Sequence, residues 1–182
     1  MGFDGINTPP EVMSKAKHEL KTLLGEKKLV QESDIAKLPY LQAMTKESLR
    51  IHPPGPLLVP HKSEAEVEIS GNTIPKGTQI FINMWANERD STLWSNPDAF
   101  QPKRFLDTIE YKGQDYLLVP FGSGRRICPG MPLANRMLHV TMATLIDNFA
   151  WELEPGKKLE PLYCAELLGM ALSVKEAKRQ PL

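Results

Sequence analysis

The residue of this sequence best suited to chemistry is Cys128, carried on Phe121-Gly-Ser-Gly-Arg-Arg-Ile-Cys-Pro-Gly130 just ahead of an apolar helical stretch. At a helix N-terminus a thiolate gains from the positive end of the dipole and from unpaired backbone N–H groups. Gly124 and Gly130 remove side chains where the backbone has to approach a flat ligand closely or take positive φ. Arg126, two residues before the cysteine, is placed to reach an anionic group on that ligand. One soft anionic ligand in a loop shaped for a large planar object is not a zinc site, which needs several such ligands. Haem iron is the metal that fits. The bland alternative for a lone cysteine is a small buried hydrophobe, and Cys164 keeps that reading. A dinucleotide loop at Gly122-Ser123-Gly124 is disfavoured, because Ile127 stands at the third glycine position and no strand–loop–helix unit surrounds it.

A second constellation lies upstream. Glu47 and Arg50, at i and i+3, share one face of a helix and can form an ion pair that anchors other segments, though on an exposed helix such a pair contributes little. The elements that must position these groups follow from periodicity and punctuation. Glu11 to Leu24 carries apolar Val12, Ala16, Leu20 and Leu23 amid Lys and Glu and ends at Gly25, an amphipathic helix with a glycine C-cap. Ser33 or Asp34 can cap a short turn, and Tyr40 to Ile51 forms the Glu47 helix, stopped by His52-Pro53-Pro54. Val67-Glu68-Ile69, a turn at Ser70-Gly71-Asn72, and Thr73-Ile74 predict a hairpin, with Thr78 to Met84 as a third strand. From Ser91 to Pro120 no period holds, and prolines and Gly113 punctuate a long meander. Pro132 to Trp151 is helical again, with Leu133, Met137, Val140, Leu145 and Phe149 on a wide apolar face that predicts burial. The tail from Lys157 reads as strand and turn.

Bulk properties bound the alternatives. The chain has 182 residues, is 41% hydrophobic and 24% charged, and has 22 basic against 22 acidic residues. That is a globular composition of one-domain size with no global field toward nucleic acid or an anionic membrane. Sixteen prolines, in clusters, predict long ordered loops. The two cysteines have no disulfide or zinc spacing, and no stretch approaches the about 18 apolar residues of a membrane span. Ile6 stands where a myristoylation motif wants Ser or Thr.

The loop satisfies F-x-x-G-x-R-x-C-x-G at Phe121, Gly124, Arg126, Cys128 and Gly130, the haem-binding signature of cytochromes P-450. Lys46-Glu47-Ser48-Leu49-Arg50 followed by His52-Pro53-Pro54, then Asn87-Glu88-Arg89-Asp90, then Phe100-Gln101-Pro102-Lys103-Arg104-Phe105 resemble that family in order and spacing. The resemblance runs from about residue 10 to the end, with residues 1–9 unmatched, and the wording of the motifs resembles plant microsomal members of the clade containing geraniol hydroxylases and ferruginol synthases. It implies a mainly helical α+β fold: the C-terminal portion of the P-450 domain, with a small antiparallel sheet, a long meander, the cysteine loop and a buried helix.

The resemblance also assigns roles. Cys128 would hold the iron of haem b through its thiolate and is the expected catalytic residue. Glu47, Arg50 and Arg104 would form a buried triad locking the meander under the loop, since buried charges persist only when paired. Lys103 departs from the family's usual Glu, and the retained Arg104 keeps the triad role. Leu57, Leu58 and Val59 correspond to a substrate-facing strand, and Leu168, Gly169 and Met170 to a turn reaching the same pocket. His61 stands where many members have an Arg that contacts a haem propionate, and an imidazole can serve as donor. His18, His52 and His139 read as surface or packing residues.

The implied activity is a monooxygenase hydroxylating a small apolar molecule, a terpenoid by clade, with molecular oxygen. Its electrons come from NADPH through a flavoprotein reductase, to which Lys112, Arg125 and Arg136 are candidate docking cations. Full-length relatives lie on the cytosolic face of the endoplasmic reticulum membrane and are well over twice this long. The alternative expectation is therefore a non-catalytic fragment that binds haem poorly or acts only by association through exposed apolar patches.

Overall fold

The computed structural model describes residues 10–25, 29–106, 116–150 and 178–179. The first helix, α1 (Pro10–Leu24), buries Val12, Ala16, Leu20 and Leu24, apolar positions four apart that form a single stripe. It stops at Gly25, whose φ of 54° is the left-handed cap conformation and whose N–H donates to the Lys21 carbonyl at 3.1 Å. A 3-10 turn (Glu32–Lys37) follows, begun by the Asp34 carboxylate accepting from the Gln31 N–H at 3.1 Å.

Helix α2 (Pro39–Ile51) starts with proline in its first turn. Its exposed N-terminal donors are met by another helix: Glu19 of α1 accepts from the N–H groups of Tyr40 (2.8 Å) and Leu41 (3.0 Å). That contact sets the angle at which Leu20, Leu24, Leu38, Leu41 and Met44 meet Ala143 and Ile146 in one core. Each such fully buried Leu contributes about 1.5–3 kcal/mol over an exposed one.

The β structure is smaller than the alternation predicts. Strands β1 (His61–Lys62), β2 (Val67–Ile69), β3 (Asn72–Ile74) and β4 (Gln79–Ile80) form two separate antiparallel pairs. The β2–β3 hairpin turns on Ser70-Gly71, with Val67 opposite Ile74. The expected third strand over 78–84 shrinks to β4, which pairs with β1 instead of the hairpin, His61 opposite Ile80. The Asn83 side chain ends it by accepting from the Ala86 N–H at 3.1 Å, which opens the short helix α3 (Met84–Asn87).

The meander carries a 3-10 turn (Pro102–Phe105), and a second one (Gly124–Arg126) precedes helix α4 (Met131–Asn148). The face of α4 is a correction to the sequence reading. Leu133 is 67% and Met137 59% exposed, and Leu145 is also exposed; Met131, His139, Ala143 and Ile146 are buried instead. α4 packs on both α1 and α2, so its buried stripe is the narrow one that lets the helices approach, centred on Ala143. Strand β5 (Phe149–Ala150) pairs antiparallel with β6 (Lys178–Arg179). The fold is thus α+β and mainly helical. Cys164, Leu168, Gly169, Met170 and Lys112 lie outside the described residues, as does all of the tail from Lys157 except β6. Among the described residues no helix is long and apolar enough to cross a membrane.

Candidate functional site

Two structures converge on the segment 118–128: a buried charge cluster behind it and an open cavity in front. In the cluster, Glu47 and Arg50 are fully buried. Arg50 donates to Glu47 through Nε at 2.8 Å and Nη2 at 2.9 Å, the bidentate geometry its planar fork favours. Arg104 Nε reaches Glu47 Oε1 at 3.2 Å, and the Gln101 N–H donates to the same oxygen at 2.7 Å. Other guanidinium donors strap the meander and the end of α3: Arg50 to the carbonyls of Glu88 and Ala99, Arg104 to those of Ser95, Asn96 and Ala99. Trp94 lies beneath both cations, 5.2 and 5.9 Å from its ring centre, and packs on Phe105. Both cations contact the one Glu47 carboxylate and every guanidinium nitrogen donates at least once, the pairing that lets buried ions persist. Lys103 is exposed beside them and takes no part.

Through Trp94 and Phe105 the cluster reaches the cysteine loop. These two, with Ala43, Leu49, Leu118 and Met131, form a second core on which Phe121 and Ile127 pack. The loop is closed by main-chain bonds: Cys128 N–H to the Phe121 carbonyl (2.9 Å), Gly122 N–H to Val119 (2.9 Å), and Met131 N–H to the Cys128 carbonyl (3.2 Å) at the start of α4. Gly122 and Gly124 hold φ of 73° and 63°, and a Cβ on either would meet nothing within 4 Å. Gly130 has an ordinary φ of −78°, and a Cβ there would sit 3.7 Å from Cys128 Sγ. That is an ordinary van der Waals contact, so neither backbone strain nor a clash with the thiol demands glycine there. Cys128 is a free thiol and exposed.

The cavity has a volume of about 1550 Å3, larger than the about 300–1,000 Å3 of ordinary ligand pockets. It joins Leu58, Val59 and His61 on one wall with Phe121, Arg126 and Cys128 on the other. Leu57 does not line it; its carbonyl accepts from the Ile82 N–H at 3.3 Å and holds the wall in place. Gly124 likewise shapes the loop from outside the lining. Lys62 and Lys76 also line the cavity and were missed by sequence reasoning. Their signal was the β1–β4 pairing, which carries the Lys76-Gly77 turn over to Lys62 and which an expected third hairpin strand concealed.

The donor set can be tested against a ligand. Among the described residues no group of three or more His, Cys, Asp or Glu side chains could hold a metal ion. A macrocycle would bring the remaining ligands of a metal at Cys128 with it. The wide cavity, the two glycines with open space over them and a cationic rim of Lys62, Lys76, Arg125 and Arg126 fit a large, flat, anionic group of that kind. Of the other cations suggested for partner docking, Arg136 on α4 pairs with Glu32 at 3.1 Å, both well exposed. His18 and His52 are exposed, and buried His139 has its Nδ1 2.6 Å from the Asn135 carbonyl.

The chain is similar to known proteins of one family. The family model described as Cytochrome P450 matches residues 6–180. A sugiol synthase of Salvia miltiorrhiza is 64% identical over 146 residues, 80% of this chain and 30% of that protein. A ferruginol synthase of Isodon rubescens is 61% identical over the same length. A carnosic acid synthase of Rosmarinus officinalis is 55% identical over 167 residues, 91% of this chain and 33% of the other. The chain thus spans about a third of the length of the curated relatives it matches. Among solved structures, a zebra fish cytochrome P450 with progesterone is similar with a TM-score of 0.69 and 33% identity, over 77% of this chain and 31% of that one.

Proposed function

The chain belongs to the cytochrome P450 family, and from that premise we propose that it forms the proximal, thiolate-bearing side of a haem monooxygenase acting on a small apolar terpenoid. The observation that carries this reading is the cavity in which Cys128, Arg126 and His61 face a single volume. Cys128 would hold haem through its thiolate, and the group so held would supply oxygen activation for insertion of one oxygen atom into a C–H bond.

The chain's own residues do the holding. Cys128 offers the sulfur from a loop whose φ-positive Gly122 and Gly124 leave the surface flat. Arg126 and His61, with Lys62 and Lys76 beside them, supply donors to propionates. Phe121 packs the loop to the core, and Gly130 lies beside the sulfur at the start of α4. Leu58 and Val59 give an apolar wall toward substrate, with Leu57 supporting it and Leu168, Gly169 and Met170 assigned to the same pocket by the family's pattern. The terpenoid class rests on the sugiol, ferruginol and carnosic acid synthases among the relatives. Electrons come from NADPH through a flavoprotein reductase on the cytosolic face of the endoplasmic reticulum, with Arg125 as a docking cation.

The test is a carbon monoxide difference spectrum of the reduced, haem-supplied protein. A Soret band at the thiolate position, lost in Cys128→Ser, is expected; no such band in the wild type sinks the proposal. A second reading, binding without turnover, is favoured by the exposed Leu133 and Met137 of α4, which invite association. Turnover assays with reductase and NADPH on the same sample separate the two.

A further inference from the structure

Glu88, just past the end of α3, is fully buried, yet neither carboxyl oxygen completes a hydrogen bond among the described residues. Its main chain is clamped from both sides: the N–H donates to the Met84 carbonyl at 2.9 Å, and the carbonyl accepts from Arg50 Nη1 at 2.6 Å. The charged groups facing the carboxyl are Arg50 and Glu47 of α2 and the neighbouring Arg89, while the Val119 backbone, on the segment leading to the cysteine loop, also favours its charged form. Arg50 is spent on Glu47 and on carbonyls. Arg89 donates to the Ile51 carbonyl at 2.7 Å and lies 4.6 Å over Trp85. Desolvation outweighs these attractions and pushes the carboxyl up to about 8.

The position matters because of what Val119 holds. Its carbonyl accepts from the Gly122 N–H, and the Phe121 carbonyl two residues on accepts from the Cys128 N–H, both at 2.9 Å. Leu118, Val119 and Pro120 are all buried, so this short segment is the root of the loop.

We propose that Glu88 is a positioning residue for the cysteine loop: as a neutral acid it packs the space between the triad and the 118–120 root, and its ionisation loosens that root and the hold on Cys128. The inference does not depend on what Cys128 binds. An unpaired carboxylate in that volume must draw in water or displace its neighbours, and the chain beside it at Val119 is loop, not helix.

The sign of the pH effect follows. The folded chain keeps the proton up to about pH 8, whereas an unperturbed carboxyl releases it near 4.5. Folding therefore takes up a proton between those values, and stability falls as pH rises through that window, then levels off. His139, held below its usual range by burial, acts in the opposite direction at lower pH, so the comparison must be with Glu88→Gln, which keeps the shape and cannot ionise.

Hydrogen exchange of the 182-residue chain at pH 6 and pH 9, corrected for intrinsic rates, reads the loop directly through the Gly122 and Cys128 amides. The wild type should lose roughly tenfold or more of their protection at the higher pH, and E88Q should keep it. Equal losses in the two proteins, or none in the wild type, overturn the proposal. Should E88Q not fold, the wild type alone decides through the infrared carbonyl stretch of a protonated carboxyl at pH 7. Its disappearance by pH 9 in step with loop protection supports the assignment. Its absence at pH 7, or its loss with an unchanged loop, refutes it.

Discussion

The triad and the cysteine loop sit back to back on the same core, and they are built on opposite terms. Glu47 accepts four hydrogen bonds, from Arg50, Arg104 and the Gln101 main chain, in a volume closed to water. Cys128 stands exposed, and among the described residues it is held by the main chain around it. The difference teaches where the chain spends its order. Charges taken out of water must be satisfied, whereas an exposed thiol proposed to bind a ligand stays unsatisfied and its backbone carries the geometry.

If that contrast is right, the largest effect of a single change lies behind the loop. Arg50→Ala leaves Glu47 buried without its bidentate partner and the Glu88 carbonyl without its Arg50 donor; urea unfolding should show a loss of about 3–5 kcal/mol. A loss below about 1 kcal/mol would mean that the cluster is solvated and the contrast false. A smaller effect belongs to the loop's backbone. Gly124→Ala meets open space, so its cost is the left-handed φ of 63° alone, about 1–2 kcal/mol in the same assay. The smallest belongs to the reactive atom itself. Cys128→Ser, on an exposed side chain, should shift stability by less than about 0.5 kcal/mol while abolishing the thiolate spectrum. A large destabilisation there would turn Cys128 into a packing residue.

Parts of this contrast were legible in one dimension. The i, i+3 spacing of Glu47 and Arg50 and the glycine-bracketed Cys128 are local patterns, and the structure keeps their local geometry: a bidentate pair on one helix face and a loop with positive φ at Gly124. What such patterns cannot carry is the choice of partner. Leu133 and Met137 have the periodicity of a buried face, but the stripe through His139 and Ala143 is the one α1 and α2 cover. The 78–84 segment has the alternation of a third strand, but Asn83 caps a helix there and β4 pairs with β1.

By itself, then, the sequence determined the helix limits at Gly25 and His52-Pro53, the hairpin at Ser70-Gly71, the cysteine loop and its glycines. Each is governed by backbone sterics and by groups within a few residues of one another. Only the tertiary structure decided which faces are dry, that Lys62 and Lys76 share a cavity with Cys128, and that Glu88 is sealed beside Val119. Desolvation is the reason: it depends on every chain segment that crowds a group, and Glu88 reads as an ordinary surface acid until Arg50 and the root of the loop close over it.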